Sequence, residues 1–120
     1  MSDSTDAVVV PAAAADLPPA DLDAILLCLS NRRRREVVEY LTDAREPVVV
    51  DELVRYILDE ESGSDGADVT SADEHAVRVE LHHTHLPTLA AAKIVTYDPE
   101  RSALRADEQF SAATAVLEAE

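Results

Sequence analysis

The chain has 120 residues, 25 acidic and 10 basic, for a formal net charge of −15; that length fits one small domain with tails and a limited core. A single cysteine, Cys28, excludes an internal disulfide and fits a reducing compartment. There is no signal-peptide pattern, and no stretch nears the roughly 20 apolar residues of a membrane helix, so the expectation is a cytoplasmic chain without a membrane partner.

Residues 1–19 hold Ala, Pro, Asp and Ser around one apolar run, Val8 to Val10. They read as a disordered tail, with a transient strand over Val8 to Val10 as the alternative. A first helix is predicted over Ala20 to Leu29, where Leu22, Ile25, Leu26 and Leu29 form one buried stripe. Cys28 lies beside that stripe and reads as a small buried apolar side chain. Ser30 is placed to cap the next helix, about Arg32 to Asp43, with Val37, Val38 and Leu41 as its core face.

That helix opens on Arg32, Arg33, Arg34 and Arg35. Four consecutive helical residues point four ways, and cations in a first turn oppose the helix dipole. Two readings stand side by side. One is ion pairing with Glu36, Glu39 and other carboxylates, including the pair Arg35–Glu39. In the other, one or two of them, with Arg33 and Arg34 as the candidates, touch DNA phosphate.

Glu46-Pro47 ends the helix. Val48 to Val50 suits a short strand against a later hairpin, and a third helix follows from Asp51, with Leu53, Val54, Ile57 and Leu58 inward. Asp59 to Glu74 carries seven carboxylates, both glycines and no base. It reads as a solvated acidic loop, and its spacing lacks the alternating ligands of an EF-hand.

The stretch from Ser71 to Ala106 then predicts one long helix followed by a two-stranded hairpin. Ser71 with Glu74 fits a capping box. Val79, Leu86 and Leu89 or Ala90 recur at helical spacing. Pro87 inside this helix removes a donor to the His83 carbonyl and predicts a bend. Ile94 to Tyr97 is strand-like, Asp98 to Arg101 suits a type I turn, and Ala103 to Ala106 returns with Leu104 opposite Val95. A last helix over residues 107–120 carries Phe110, Ala113 or Thr114, and Leu117 on one face. It packs on its own domain or on a second chain.

The resulting class is mainly α with a small β-hairpin: a winged helix-turn-helix over residues 20–106, three core helices plus a wing, with a C-terminal helix. In that layout the long helix enters a DNA groove and the hairpin is the wing. The segments LSNRRRREVVEYL (Leu29 to Leu41) and HHTHLPTLAAAKIVTYDPE (His82 to Glu100) resemble a family of small haloarchaeal winged-helix domains of unknown function, itself similar to ArsR-type regulators. The resemblance rests on Leu29-Ser30 with Arg33-Arg34, His85-Leu86 with Leu89, and Ile94-Val95. Lys93 stands where those regulators have glycine, which puts a different backbone shape at the turn into the wing.

With the winged-helix layout, the expectation is a regulator that binds duplex DNA: Arg101 and Arg105 on the wing, and Arg78, His83, Thr84 and Thr88 on the long helix, are the candidate contacts beside Arg33 and Arg34. The apolar stripe of the terminal helix needs a cover, so Phe110 and Leu117 predict a homodimer through that helix, with Leu22 and Ile25 as further candidates. Nine of the ten bases are arginine. The acidic balance suggests adaptation to molar salt, where the Debye length is about 3 Å. In a low-salt cytoplasm the same balance favours the alternative, a winged-helix protein-interaction module.

His82 and His85 at i and i+3 could share a metal, but only carboxylates or Cys28 could complete the set. The expectation is no metal, no cofactor and no small-molecule ligand. There is no phosphate loop or nucleophile elbow, so no enzyme is expected.

Overall fold

The computed structural model describes residues 17–45, 47–62 and 70–119. The expected N-terminal tail up to residue 16, Glu46, and the middle of the acidic connection with Gly63 and Gly66 lie outside the described residues.

Helix α1 (Pro19–Cys28) opens on a proline, whose missing N–H costs nothing in a first turn. Ile25, Cys28 and Leu29 are buried, and Leu22 and Leu26 pack at the core's edge. Leu27 points outward and is 68% exposed. Helix α2 (Arg32–Thr42) is capped by Asn31, whose side chain accepts the Arg34 N–H at 3.1 Å. Ser30, expected in that role, instead donates to the Leu27 carbonyl at 2.6 Å and closes α1.

Strand β1 (Val48–Val49) runs directly into helix α3 (Val50–Ser62), one residue earlier than expected. Glu52 accepts the Val49 N–H at 3.2 Å and ties the helix start to the strand. Leu53, Val54 and Ile57 form the buried stripe. Asp59, Glu60 and Glu61, expected in a loop, continue α3, and residues 71–74 belong to the following helix. The unassigned part of the acidic connection is therefore shorter than the composition suggested.

Residues 71–91 are helical throughout but not uniformly so: helix α4 (Ser71–Glu80), a π-helical turn (Leu81–His85), and helix α5 (Leu86–Ala91). The capping box sits one residue earlier than predicted. The Thr70 hydroxyl accepts the Asp73 N–H, and the Asp73 carboxylate accepts the Thr70 N–H, both at 3.1 Å. The Leu86 N–H reaches back to the Leu81 carbonyl, five residues away. This wider turn immediately precedes Pro87, the expected site of a bend, and relieves the crowding of its ring against the preceding turn. It also changes the phase of the helix. Val77, Leu81, His85, Leu86 and Leu89 face inward, while Val79, expected in the core, is 38% exposed.

Lys93 ends this helix with φ 63. Its N–H bonds the Ala90 carbonyl and that of Ile94 bonds the Leu89 carbonyl, both at 3.0 Å. This is a Schellman cap with lysine in the left-handed position that usually favours glycine.

Strands β2 (Val95–Asp98) and β3 (Ala103–Ala106) form the hairpin, and β1 adds to the other side of β3, all antiparallel. Leu104 lies opposite Tyr97 and Val48, and Val95 opposite Ala106. The expected pairing of Leu104 with Val95 is thus off by two residues, a slip that leaves both side chains facing the core. The hydrogen-bonded turn runs from Pro99 to Ser102, one residue later than expected. Asp98 supports it by accepting the Glu100 and Arg101 N–H groups.

Helix α6 (Phe110–Glu118) packs on α1 and α2 through Ala112, Ala113 and Val116, so its inner face is covered by its own domain. Ile25, expected at a dimer interface, is fully enclosed at 0% exposure, which removes it from that role. Leu22, Phe110 and Leu117 are half-buried at the rim of the same core. The architecture is mainly helical with a small three-stranded antiparallel sheet. No described helix is long and apolar enough to cross a membrane.

Candidate nucleic-acid interface

Each of the four consecutive arginines finds a partner inside the molecule. Arg32 donates to Glu36 at 3.0 Å. Arg33 forks onto both oxygens of Glu61 at 2.8 Å and reaches Glu80. Arg34 donates to the Cys28 carbonyl at 2.9 Å, and Arg35 to the Leu29 carbonyl at 2.8 Å. The last two resolve the dipole problem of a cationic first turn: they close the carbonyl end of α1, where positive charge is favourable. Arg33 and Arg34, candidates for DNA phosphate, are thus engaged in structural pairs. The expected Arg35–Glu39 pair is absent among the described residues.

Arg33, Glu61, Glu80, Arg34 and His85 form one network joining α2, α3 and the π turn. The Glu61 carboxyl is held below its ordinary range by the Arg33 hydrogen bonds, against the cost of burial. Burial also opposes ionisation of Glu80, but Arg33 and His85 outweigh it and its pKa is lowered. Burial pushes the His85 pKa down, against the attraction of Glu80. A neutral His85 suits both neighbours. Its Nε2 lies 3.2 Å from Glu80 and can donate, while its Nδ1, 3.3 Å from an Arg34 nitrogen, can accept. Cys28 is buried beside this network, its thiol pKa raised by burial, and it donates weakly to the Thr88 carbonyl.

The remaining candidates fall into three groups. His83 and Thr84 are exposed, and with Thr88 they border a shallow groove between α1 and α5 that also includes Leu27 and Pro87. The Thr88 hydroxyl is turned inward to the Thr84 carbonyl at 2.6 Å, which limits its freedom to contact a ligand. Arg78 is paired with Asp51 of α3 at 2.9 Å. Arg101 stands at the hairpin turn with its side chain 85% exposed, and its one ion pair among the described residues is a long one of 3.7 Å to Asp98. Arg105 is exposed opposite Thr96 on β2 and makes no ion pair among the described residues. Arg101 and Arg105 border one shallow cavity on the hairpin, separate from the groove of His83 and Thr84.

His82 is the link between helix and hairpin. Its Nδ1 is hydrogen-bonded to the Tyr97 hydroxyl, with ring centroids 5.8 Å apart. Glu61, Glu80 and Tyr97 were not singled out from the sequence as partners, since only the folded chain brings them to Arg33 and His82. Among the described residues, no group of three or more His, Cys, Asp or Glu side chains is placed to hold a metal ion.

The helix and hairpin also carry an unusual share of the charge. Residues 71–106 contain five carboxylates and four bases, a net of −1, against −15 for the whole chain. No carboxylate occurs from Leu81 to Tyr97.

Comparison with curated proteins and with solved structures found no match. Residues 26–105 match a domain family of unknown function, DUF7344, and this span covers α2 through β3 as well as the end of α1. The chain therefore belongs to the DUF7344 family.

Proposed function

We propose that this protein is a DNA-binding transcriptional regulator of the winged helix-turn-helix type. In this reading residues 71–91 are the recognition helix and β2–β3 the wing. The observation that carries it is the charge of the segment that forms this helix and hairpin: residues 71–106 have a net of −1, and no carboxylate occurs from Leu81 to Tyr97, in a chain of −15. A duplex presents dense phosphate charge, and such a segment is the one it can approach. Arg101 and Arg105 supply phosphate contacts, while the exposed His83 and Thr84 offer groups for base edges. The acidic composition, with one lysine among ten bases, supports a host with molar salt, where repulsion between carboxylates and DNA is screened.

A second reading has its own observation. Asp73 and Glu74 lie in the first turn of the same helix, and Arg78 is neutralised by Asp51. A protein partner would tolerate that charge better than DNA. Genome-wide crosslinking of the tagged protein in its own host separates the two. Discrete DNA sites that disappear when Thr84 and Arg101 are replaced support the regulator. Recovery of no DNA above background, with the protein folded and present, supports the interaction module.

A further inference from the structure

A cavity of about 660 Å³ opens between the end of α2, the start of β1 and the first turns of α3. Tyr40 and Tyr56 line it with their ring centroids 4.9 Å apart and planes tilted by 49°. They are two of only four Phe and Tyr residues in a chain that has no tryptophan. Both rings are half-buried, packing on the core while bordering the cavity. Glu39, Asp43 and Glu52 share the lining, and Arg45 is the one base there among the described residues. The Tyr40 hydroxyl lies 3.5 Å from the Glu52 carboxylate. Burial, and then the surrounding carboxylates, raise the pKa of both phenols, and three carboxylates against one arginine among the described lining residues give this corner a net negative charge.

Carboxylates are common throughout this chain, but paired aromatic rings are not. Aromatic faces attract cations and do so best when the cation is weakly hydrated, whereas a small inorganic ion keeps its water. We propose that this cavity binds an organic cation with a guanidinium or alkylammonium head, its apolar surface against Tyr40 and Tyr56 and its charge balanced by Glu39, Asp43 and Glu52. The same head group occurs on free small molecules and on arginine or lysine side chains. The site is independent of the DNA-binding reading and differs from the sequence expectation of no small-molecule ligand.

The test uses the full chain carrying Tyr97→Phe, so that Tyr40 and Tyr56 are its only tyrosines. Methylguanidinium chloride is exchanged for KCl at constant ionic strength while tyrosine fluorescence is followed. A saturable change is expected, and neutral methylurea should produce none. Glu39→Gln with Glu52→Gln keeps both rings and should weaken the midpoint at least tenfold. Glu39→Gln alone, at an exposed position, serves if the double variant loses its far-UV circular dichroism. A capped Ala-Arg-Ala peptide separates the sources. Binding ten times tighter than methylguanidinium points to a partner's side chain, and equal binding points to a free cation. An identical change with methylurea, or an unchanged midpoint in the folded variants, would overturn the proposal.

Discussion

Arg34 reaches the Cys28 carbonyl with Nε and His85 with a terminal nitrogen. One side chain thus closes helix α1 and orients the buried imidazole that ends the π turn. His85 carries a testable consequence. Its folded pKa lies below the ordinary value of 6.5, chiefly through burial, so the unfolded chain takes up its proton first. Stability from this group is complete above the unfolded value and falls as pH drops through about 6.5. Urea midpoints at pH 8 and pH 5.5 should fall more steeply for the native protein than for His85→Asn, even though the variant starts lower at pH 8. Glu36 has the opposite sign. It is 5% exposed, one oxygen has no hydrogen-bond partner among the described residues, and burial raises its pKa, with Glu61 adding to the rise. Its ionised form is therefore a cost at neutral pH. Glu36→Gln should raise the thermal midpoint at pH 7, with the gain vanishing as pH falls below the ordinary carboxylate range. The arginine run itself was legible as four cations in a first turn, but not their partners. Glu61 and Glu80 lie 28 and 47 residues from Arg33, and no local spacing connects them.

At the scale of elements, patterns that repeat within a few residues were readable, and those set by neighbours were not. The stripe of α1, the short strand at Val48 and the hairpin all followed from periodicity and turn chemistry. The helix start was ambiguous because Thr70–Asp73 and Ser71–Glu74 offer the same spacing one residue apart. Leu86 and Leu89 face the core as expected, but Val79 does not, because the π turn inserts a residue between Leu81 and Leu86 and shifts the period. Lys93 offers the sharpest local test. A non-glycine residue in the left-handed region costs roughly 1–2 kcal/mol, and part of that is offset by the greater freedom glycine gains when unfolded. The Lys93–Glu108 pair lost with it is exposed on both sides and contributes little. Lys93→Gly should therefore stabilise the protein by on the order of 0.5 kcal/mol in urea unfolding. A loss of stability would show that the lysine side chain has a larger role than this backbone argument assigns.

Across the whole molecule, α6 covers its own core, so its removal would expose Ala113 and its surroundings rather than simply free a docking surface. The homodimer expected from the sequence is better tested at the rim, where Leu22, Phe110 and Leu117 remain half-buried. Leu117→Glu should halve the mass seen by light scattering in molar KCl, and an unchanged mass for the folded variant would remove this face as the interface. The central proposal rests on how charge is distributed: residues 71–106 have a net charge of −1 in a chain of −15. Binding through that segment would release counterions from DNA, while carboxylates nearby take up cations and oppose the usual loss of affinity with salt. The most direct measurement is an affinity titration with duplex DNA, specific and scrambled, from low to molar KCl. The account predicts binding that persists at high KCl, with Arg101→Ala weakening all sequences about equally and flattening the salt dependence by roughly one unit of slope. Absence of binding to either duplex at every KCl concentration, by a protein shown to be folded, would contradict it.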